Sequence, residues 1–503
     1  MADAKRLAKN TLFMYVRMIL IMIVTIYTSR VVLDKLGVDD YGLYNAVASI
    51  VAMIMFLNAT LSTSTSRYLT YDLGKGDLEK LRNTFSTSFY SHLILAGFIV
   101  IVLETIGLWY MGNKFVIPEG REFAINVVFQ ISILTTLVAV LQVPYTASIM
   151  AHENMDVYAY VGIFEVFSKL GVVYLLSISP IDNLIFYAML IAAVQITITV
   201  LYVIISRRKY TETHLVFHFS KETFRGMIGF TGWTAVANLS NTMKVQGATV
   251  LLNLFFMPAI IASKALADQI TNALMMFVNN FRQALNPQII KSYAANDIDE
   301  FKRWSLRSTV VTFDLILVLG LPCIATMKTI LNIWLVEVPD LAVEFTQLAI
   351  ISQIILSFSS STYIPFVASG KLKLNAICGV FTGFGYFSVL YILFIIGCGA
   401  MWVQWLFLIL AVISVCVLQP FLLHKEIGFT YGEVYKCMWD CFKPMIIAGI
   451  ITYALMFFFE EELWQQAMLF LSVFFCTVAT VWFTLEKQIR EYFVFFVKSI
   501  IKR

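Results

Sequence analysis

The sequence predicts an all-α polytopic membrane protein with about 14 transmembrane helices: two six-helix lobes plus two extra C-terminal helices. Three observations carry that prediction: composition, the spacing of apolar runs, and the placement of basic residues. Of 503 residues, 59% are hydrophobic, 15% aromatic and 14% charged, against roughly 25% charged in a soluble domain. That excludes a soluble class. A bilayer core roughly 30 Å thick takes about 20 apolar residues per helix, so the chain is long enough for many spans joined by short loops.

The first apolar run, 11–33, follows Lys5, Arg6 and Lys9. Arg17 interrupts it and no small-residue cleavage site follows, so it reads as an uncleaved first span. Runs at 41–61, 85–110, 123–145, 157–178 and 183–206 complete a first set of six. After a polar loop at 207–225, a second set lies at 226–254, 257–285, 305–334, 344–367, 373–396 and 400–423, followed by 443–459 and 463–485. The resulting organisation is an N-lobe (1–206), a cytoplasmic linker (207–225), a C-lobe (226–423), a helix pair (424–485) and a tail (486–503). The tail mixes aromatic residues with Lys487, Arg490, Lys498, Lys502 and Arg503, as suits an interfacial amphipathic helix on an anionic leaflet.

With both termini cytoplasmic, 26 Lys and Arg fall in cytoplasmic segments and only Lys35, Lys114, Arg121 and Lys328 on the opposite face. This asymmetry obeys the positive-inside rule and fixes the parity of the span count. All loops on the opposite face are short, so no external domain is expected to hold a catalytic site, and no enzyme activity is predicted. Sliding the sequence by 220 residues sets KGDLEKLRN (75–83) beside ANDIDEFKR (295–303), each a short charged loop after the second span of a half. Two halves in one orientation form the parallel type of repeat found in transporters that bind substrate between halves.

The net charge of +4 is too small to suggest nucleic acid as a partner. Seven cysteines, all after residue 322, imply no disulfide framework. Cys437 with Cys441, and His214 with His218, have i,i+4 spacing but lack further ligands, so no metal is expected. There is no nucleotide-binding glycine motif, and no cofactor is predicted.

Ionisable residues within spans carry the functional reading, since each costs about 2.5–3.5 kcal/mol at a helix centre on the insertion scale. The basic ones are Arg17, Arg30, Lys169, Lys244, Lys264 and Arg282; the acidic ones are Glu104, Glu165, Asp268 and Asp314. Arg30 and Arg282 lie near span ends, where long side chains snorkel. Glu165–Lys169 and Lys264–Asp268 are i,i+4 pairs that can neutralise each other on one helix face. Lys264, Asp268, Asn272, Met275, Asn279, Arg282 and Asn286 form a polar stripe on the eighth span; Thr231, Thr234, Asn238, Asn241 and Lys244 form one on the seventh. The stripes predict a hydrated lumen, with polar packing between helices as the competing explanation. Counted from the span ends, Lys169, Lys244 and Lys264 reach similar depth, and Arg17 sits nearer the cytoplasm. Such groups suit a phosphate-bearing head group. Asp268, Glu104 and Asp314 are the candidates for coupling to a proton or a sodium ion.

The first 80 residues carry a specific resemblance. Arg17, Ser29, Arg30, Leu36, Gly37, Asp40, Tyr41, Gly42 and Tyr44, then Arg67 and Tyr68, stand in a pattern that resembles the opening of bacterial polysaccharide transporters, the Wzx-type lipid-linked oligosaccharide flippases. The resemblance implies the multidrug/oligosaccharidyl-lipid/polysaccharide (MOP) exporter superfamily, with two lobes around a cationic cavity. It implies an undecaprenyl-pyrophosphate-linked O-antigen, capsule or exopolysaccharide unit as substrate, moved from the cytoplasmic to the periplasmic leaflet of a bacterial inner membrane by alternating access. Membrane lipids and other polysaccharide-assembly proteins are the implied partners. Two alternatives stay open at this point: a proton- or sodium-coupled multidrug antiporter of the MATE type, and a membrane-embedded polysaccharide polymerase or ligase.

Overall fold

Helices follow the apolar runs from end to end, and no strand occurs among the described residues. The computed structural model describes residues 2–152, 154–486 and 490, with side chains at all of these except 2–19, 155, 229–234, 237, 283, 284 and 287. Within the described residues the chain forms two compact units. One runs to Ala262 and includes Gly379–Ala400; the other is Ser263–Cys378 and continues from Met401.

The first unit contains α1 (Ala2–Ile54), α2 (Phe56–Lys75), α3 (Leu78–Asn113), α4 (Glu122–Ala151), α5 (Met155–Leu176), α6 (Asn183–Lys209), α7 (Lys221–Thr242) and α8 (Ala248–Phe255). α9 (Pro258–Ala294) divides between the units after Ala262. The second unit contains α10 (Ile298–Ala325), α11 (Met327–Trp334), α12 (Ala342–Ser369), the start of α13 (Lys373–Ile395), α14 (Trp402–Ile427), α15 (Tyr431–Met456) and α16 (Leu463–Thr484). Ten described helices are long and apolar enough to cross a bilayer, and the α1–α2 pair, bent by 49°, makes an eleventh. The stretches that hold the polar seventh and eighth runs, α7 to α9, are not among them.

Each unit is built round one helix. In the first, α4 packs on α2, α3 and α6 while α1 packs on α5. Ile149, Val157, Val161, Ile198, Tyr202 and Tyr210 form one of its buried clusters. In the second, α10 packs on α12, α15 and α16. The flanks expose large apolar side chains such as Phe98, Trp109, Tyr453 and Phe483, which is stable only where the solvent is lipid.

The quoted N-terminal pattern has structural causes. Gly37 breaks α1 with φ +79° and ψ 168°, a backbone region essentially reserved for glycine. Gly42 abuts the backbone carbonyl of Pro258, so a side chain there would collide with main chain. Asp40 accepts from Arg121 Nε at 2.8 Å, and the Arg121 Nη1 donates to Asp182 Oδ2 at 2.5 Å. Asp182 in turn caps α6 by accepting from the Leu184 and Ile185 amides. One arginine thus ties α1, the turn before α4 and the start of α6.

The offset of 220 residues is also a local structural repeat. Gly76 and Asn296 both adopt left-handed backbone, with φ 74° and 58°. The next residues, Asp77 and Asp297, cap α3 and α10 by accepting from Lys80 N and Glu300 N, each at 3.0 Å. A basic residue on the second turn then reaches beyond its own helix: Arg82 donates to the His214 carbonyl at 2.9 Å, and Lys302 pairs with Glu433 at 3.3 Å. Asp at an N-cap satisfies amides that the helix start leaves unbonded, so the same loop solution serves both units.

Arg121→Ala strands two carboxylates and is expected to lower the stability of the purified protein in detergent by about 2 kcal/mol. The comparison variant Lys169→Ala, which breaks an exposed pair, should cost less than about 1 kcal/mol. Thermal unfolding of the two variants in parallel checks the difference.

Candidate functional site

Of the predicted cationic residues, Arg17 lies outside the residues whose side chains are described, as do Thr231, Thr234 and, Arg490 apart, the basic tail residues from Lys487 onward. Arg30 is exposed on α1 and takes part in an interaction. Lys169 is exposed on α5 and donates to Glu165 at 2.7 Å, so the i,i+4 neutralisation expected from spacing is present.

Lys244 is different. It stands in a π-helical turn, Met243–Gly247, between α7 and α8, half-buried and with no hydrogen-bond or ion-pair partner among the described residues. The extra residue of a π turn re-aims side chains and marks functional positions in many helices. Gly247 closes the turn against the Phe387 ring on α13. Nearby on α7, Asn238 donates to Thr60 Oγ1 at 3.1 Å and Asn241 is exposed. Glu104 occupies the corresponding kind of turn in α3, Leu103–Gly107, and accepts from Gln130 at 3.3 Å. Neither turn is visible as a hydropathy feature.

In the second unit the α9 stripe is partly exposed. Lys264 is 4% exposed and donates to Asp268 Oδ2 at 2.6 Å, while the Asp268 side chain is 39% exposed. Asn272 is exposed, and Asn279 accepts from Arg282 Nη2 at 3.1 Å. Arg282 Nη1 and Asn286 Oδ1 are buried and find no partner among the described residues. The stripe therefore combines a buried lysine, whose charge is matched by one carboxylate, with amides open to solvent or ligand. Asp314 stands apart from it on α10, 5% exposed, with Oδ1 unpartnered.

Two polar clusters of the first unit lie outside the predicted site residues. One is packed around α2, α3 and α7: Ser64 donates to the Met227 carbonyl, and fully buried His92 bonds the Ser88 carbonyl through Nδ1 while its Nε2 has no partner. Small hydroxyl residues spread through an apolar run give little hydropathy signal. The other lies where α4 and α6 end: Glu212, 4% exposed, accepts from Ser148 and contacts His152 Nε2, both at 2.8 Å. Beside it, burial pushes the Tyr210 phenol up, against the opposing effect of Asn154. Among the described residues no group of three or more His, Cys, Asp or Glu side chains is arranged to hold a metal ion.

No protein-family model matches the chain, and no curated protein matches it. Solved structures do share its fold. The lipid II flippase MurJ in an inward-closed conformation aligns with TM-score 0.69 and 12% identity over 94% of this chain and 98% of its own. An inward-facing multidrug resistance MATE family transporter of the MOP superfamily aligns with TM-score 0.63 and 13% identity over 78% and 92%. A MOP superfamily transporter from Pyrococcus furiosus, whose binding pocket is described as reversed in polarity, aligns with TM-score 0.56 and 13% identity over 80% and 93%. The chain thus has the helical fold of MATE transporters and of the lipid II flippase.

Lys264→Met leaves Asp268 without its cation and is expected to destabilise the protein by about 1–3 kcal/mol. Adding Asp268→Asn removes the orphaned charge, and the double variant should recover to within about 1 kcal/mol of the parent, since a well-packed neutral pair commonly equals a buried ion pair. A double-mutant cycle on thermal stability reads both effects.

Proposed function

We propose that this protein is a flippase for undecaprenyl-pyrophosphate-linked oligosaccharide. In this reading it moves an O-antigen, capsule or exopolysaccharide repeat unit from the cytoplasmic to the periplasmic leaflet of a bacterial inner membrane by alternating access. The observation that carries it is Lys244, a cation on a helix read as membrane-spanning that has no carboxylate partner among the described residues. A charge kept at that depth without a counterion is costly. A pyrophosphate arriving with the substrate supplies the missing anion, by the same charge-assisted contacts that make lysine a common phosphate ligand. Arg17, Arg30, Lys169 and Lys264 are assigned to the same cationic lining. Lys169 and Lys264 already hold a carboxylate, so they are assigned to steering and Lys244 to direct contact. Asn238, Asn241, Asn272 and Asn279 are assigned to the sugar hydroxyls.

Two further points support this reading over drug export. The residues resembling the polysaccharide transporters lie in the first 80, and the match to the lipid II flippase covers more of this chain than the match to the inward-facing MATE transporter, 94% against 78%. The 14-span topology with both termini cytoplasmic, the two-lobe organisation and the association with polysaccharide-assembly proteins belong to the same proposal. No covalent step is needed for a change of leaflet. Asp268, Glu104 and Asp314 are assigned to resetting by a proton or a sodium ion.

In a strain that depends on this protein for surface polysaccharide, Lys244→Ala is expected to cut export at least tenfold, equivalent to about 1.4 kcal/mol in the barrier, with membrane abundance unchanged. Lys244→Arg should restore most of it. Normal export with Lys244→Ala, confirmed by polysaccharide gels and immunoblots, would reject the assignment.

A further inference from the structure

Inside the second unit, a cavity of about 220 Å³ opens between the first half of α10, the start of α15 and the residues that end α16. It runs from Arg303 to Asp314 along α10, about 16 Å at 1.5 Å per residue. At the Arg303 end, charges are matched. Glu433 pairs with Lys302 at 3.3 Å, Lys436 with Glu486 at 3.9 Å, and Arg303 with Glu300 at 3.4 Å. Arg307, one turn deeper, is itself engaged in an interaction.

Toward Asp314 the matching thins. Asp314 and Asp440 both line the cavity, and no described hydrogen bond or salt bridge joins either to a basic residue. Asp314 is 5% exposed and among the described residues its Oδ1 has no donor. The other ionisable groups of α15 near this end are Cys437, whose Sγ donates to the Leu306 carbonyl at 3.6 Å, buried Cys441, and Lys436 and Lys443 on the turns before and after Asp440, whose positive charges act on Asp440 rather than on Asp314. α12, also packed on α10, carries Glu344 and Tyr363, and α16 carries Cys476; none of the three lines the cavity.

An ionised carboxylate buried without donors is strongly disfavoured, whereas the neutral acid needs only its own proton. A second carboxyl beside it favours a single retained proton still more, because like charges at close range cannot both ionise. The cavity has room for several waters at about 30 Å³ each, enough to connect Asp314 to the charged residues at the Arg303 end. A dehydrated metal ion would want three or more ligating side chains, and the described residues supply no such group.

We propose that Asp314, with Asp440 beside it, is a proton-binding site that loads and unloads through this cavity, separate from the cationic residues assigned to the glycan lipid. That the proton resets a flippase rests on the function proposed above; that Asp314 binds it does not.

The test uses the full-length protein in detergent and dicyclohexylcarbodiimide, which attacks carboxyls that retain a proton in apolar surroundings, read by peptide mass mapping. Asp314 should be modified at neutral pH, with the rate falling about tenfold per pH unit once the pH passes its titration. D314N should lose the adduct, and D440N should move that titration to lower pH. Infrared spectra supply an independent reading, in which a protonated-carboxyl band of the parent disappears in D314N. Absence of both adduct and band between about pH 5 and pH 9, the range reached by buried carboxyls, overturns the proposal. So does protection of Asp314 by sodium chloride relative to choline chloride at fixed pH, which would make the site a metal-cation site. If adduct and band are found but reconstituted protein moves no glycan lipid, the proton site stands and the flippase reading falls.

Discussion

In a bilayer, an ionised side chain must be matched by a counter-charge, by water or by a ligand, and the arrangement of this protein follows from how each of its intramembrane charges meets that demand. Glu165–Lys169 and Lys264–Asp268 are matched on their own helices. Arg121 is matched twice, by Asp40 and Asp182, at the turn where three helices begin or bend. Against that background Lys244 and Asp314, which have no such partner among the described residues, are two positions where the balance has to be completed by something that comes and goes. Opposite charges call for different completions: an anion for the lysine, a proton for the carboxyl.

The backbone is adapted at the same places. α1 turns at Gly37, and the π turns Leu103–Gly107 and Met243–Gly247 interrupt long helices at Glu104 and Lys244. A π turn loosens the regular bonding of the helix and offsets the side chains beyond it. Placing the charged residue within the irregular turn lets it leave the face that hydropathy would assign. The paired loops at Gly76–Asp77 and Asn296–Asp297 show one local design used twice. The basic residue five positions on, Arg82 or Lys302, fastens each start to a later part of its own unit.

Much of the fold was legible in the sequence, because long apolar runs and turn residues are strong local signals. The all-helical class, most helix positions and the relation between residues 75–83 and 295–303 were readable, and Gly37, Gly42 and Asp40 now have conformational or ion-pair reasons for their place in the N-terminal pattern. The i,i+4 pairs were readable for the same reason, since helical geometry alone brings those side chains together. What spacing could not supply was which charges lack a partner. The i,i+4 rule pairs Lys264 with Asp268, but it does not say whether Lys244 meets a carboxylate from another helix, and among the described residues it meets none. The cavity at Asp314 was hidden because its other carboxyl, Asp440, comes from a helix more than a hundred residues later. The polar content of α7 and α9, which weakens their hydropathy, is itself the feature that made them candidates.

Proteoliposomes containing the purified protein, loaded with fluorescent undecaprenyl-pyrophosphate oligosaccharide and probed for leaflet exchange, test the central claim directly. The account predicts exchange that requires the protein and is competed by pyrophosphate-bearing glycan lipid but not by organic cations. No exchange above protein-free vesicles with any pyrophosphate-linked glycan, together with protein-dependent uptake of organic cations, would contradict it.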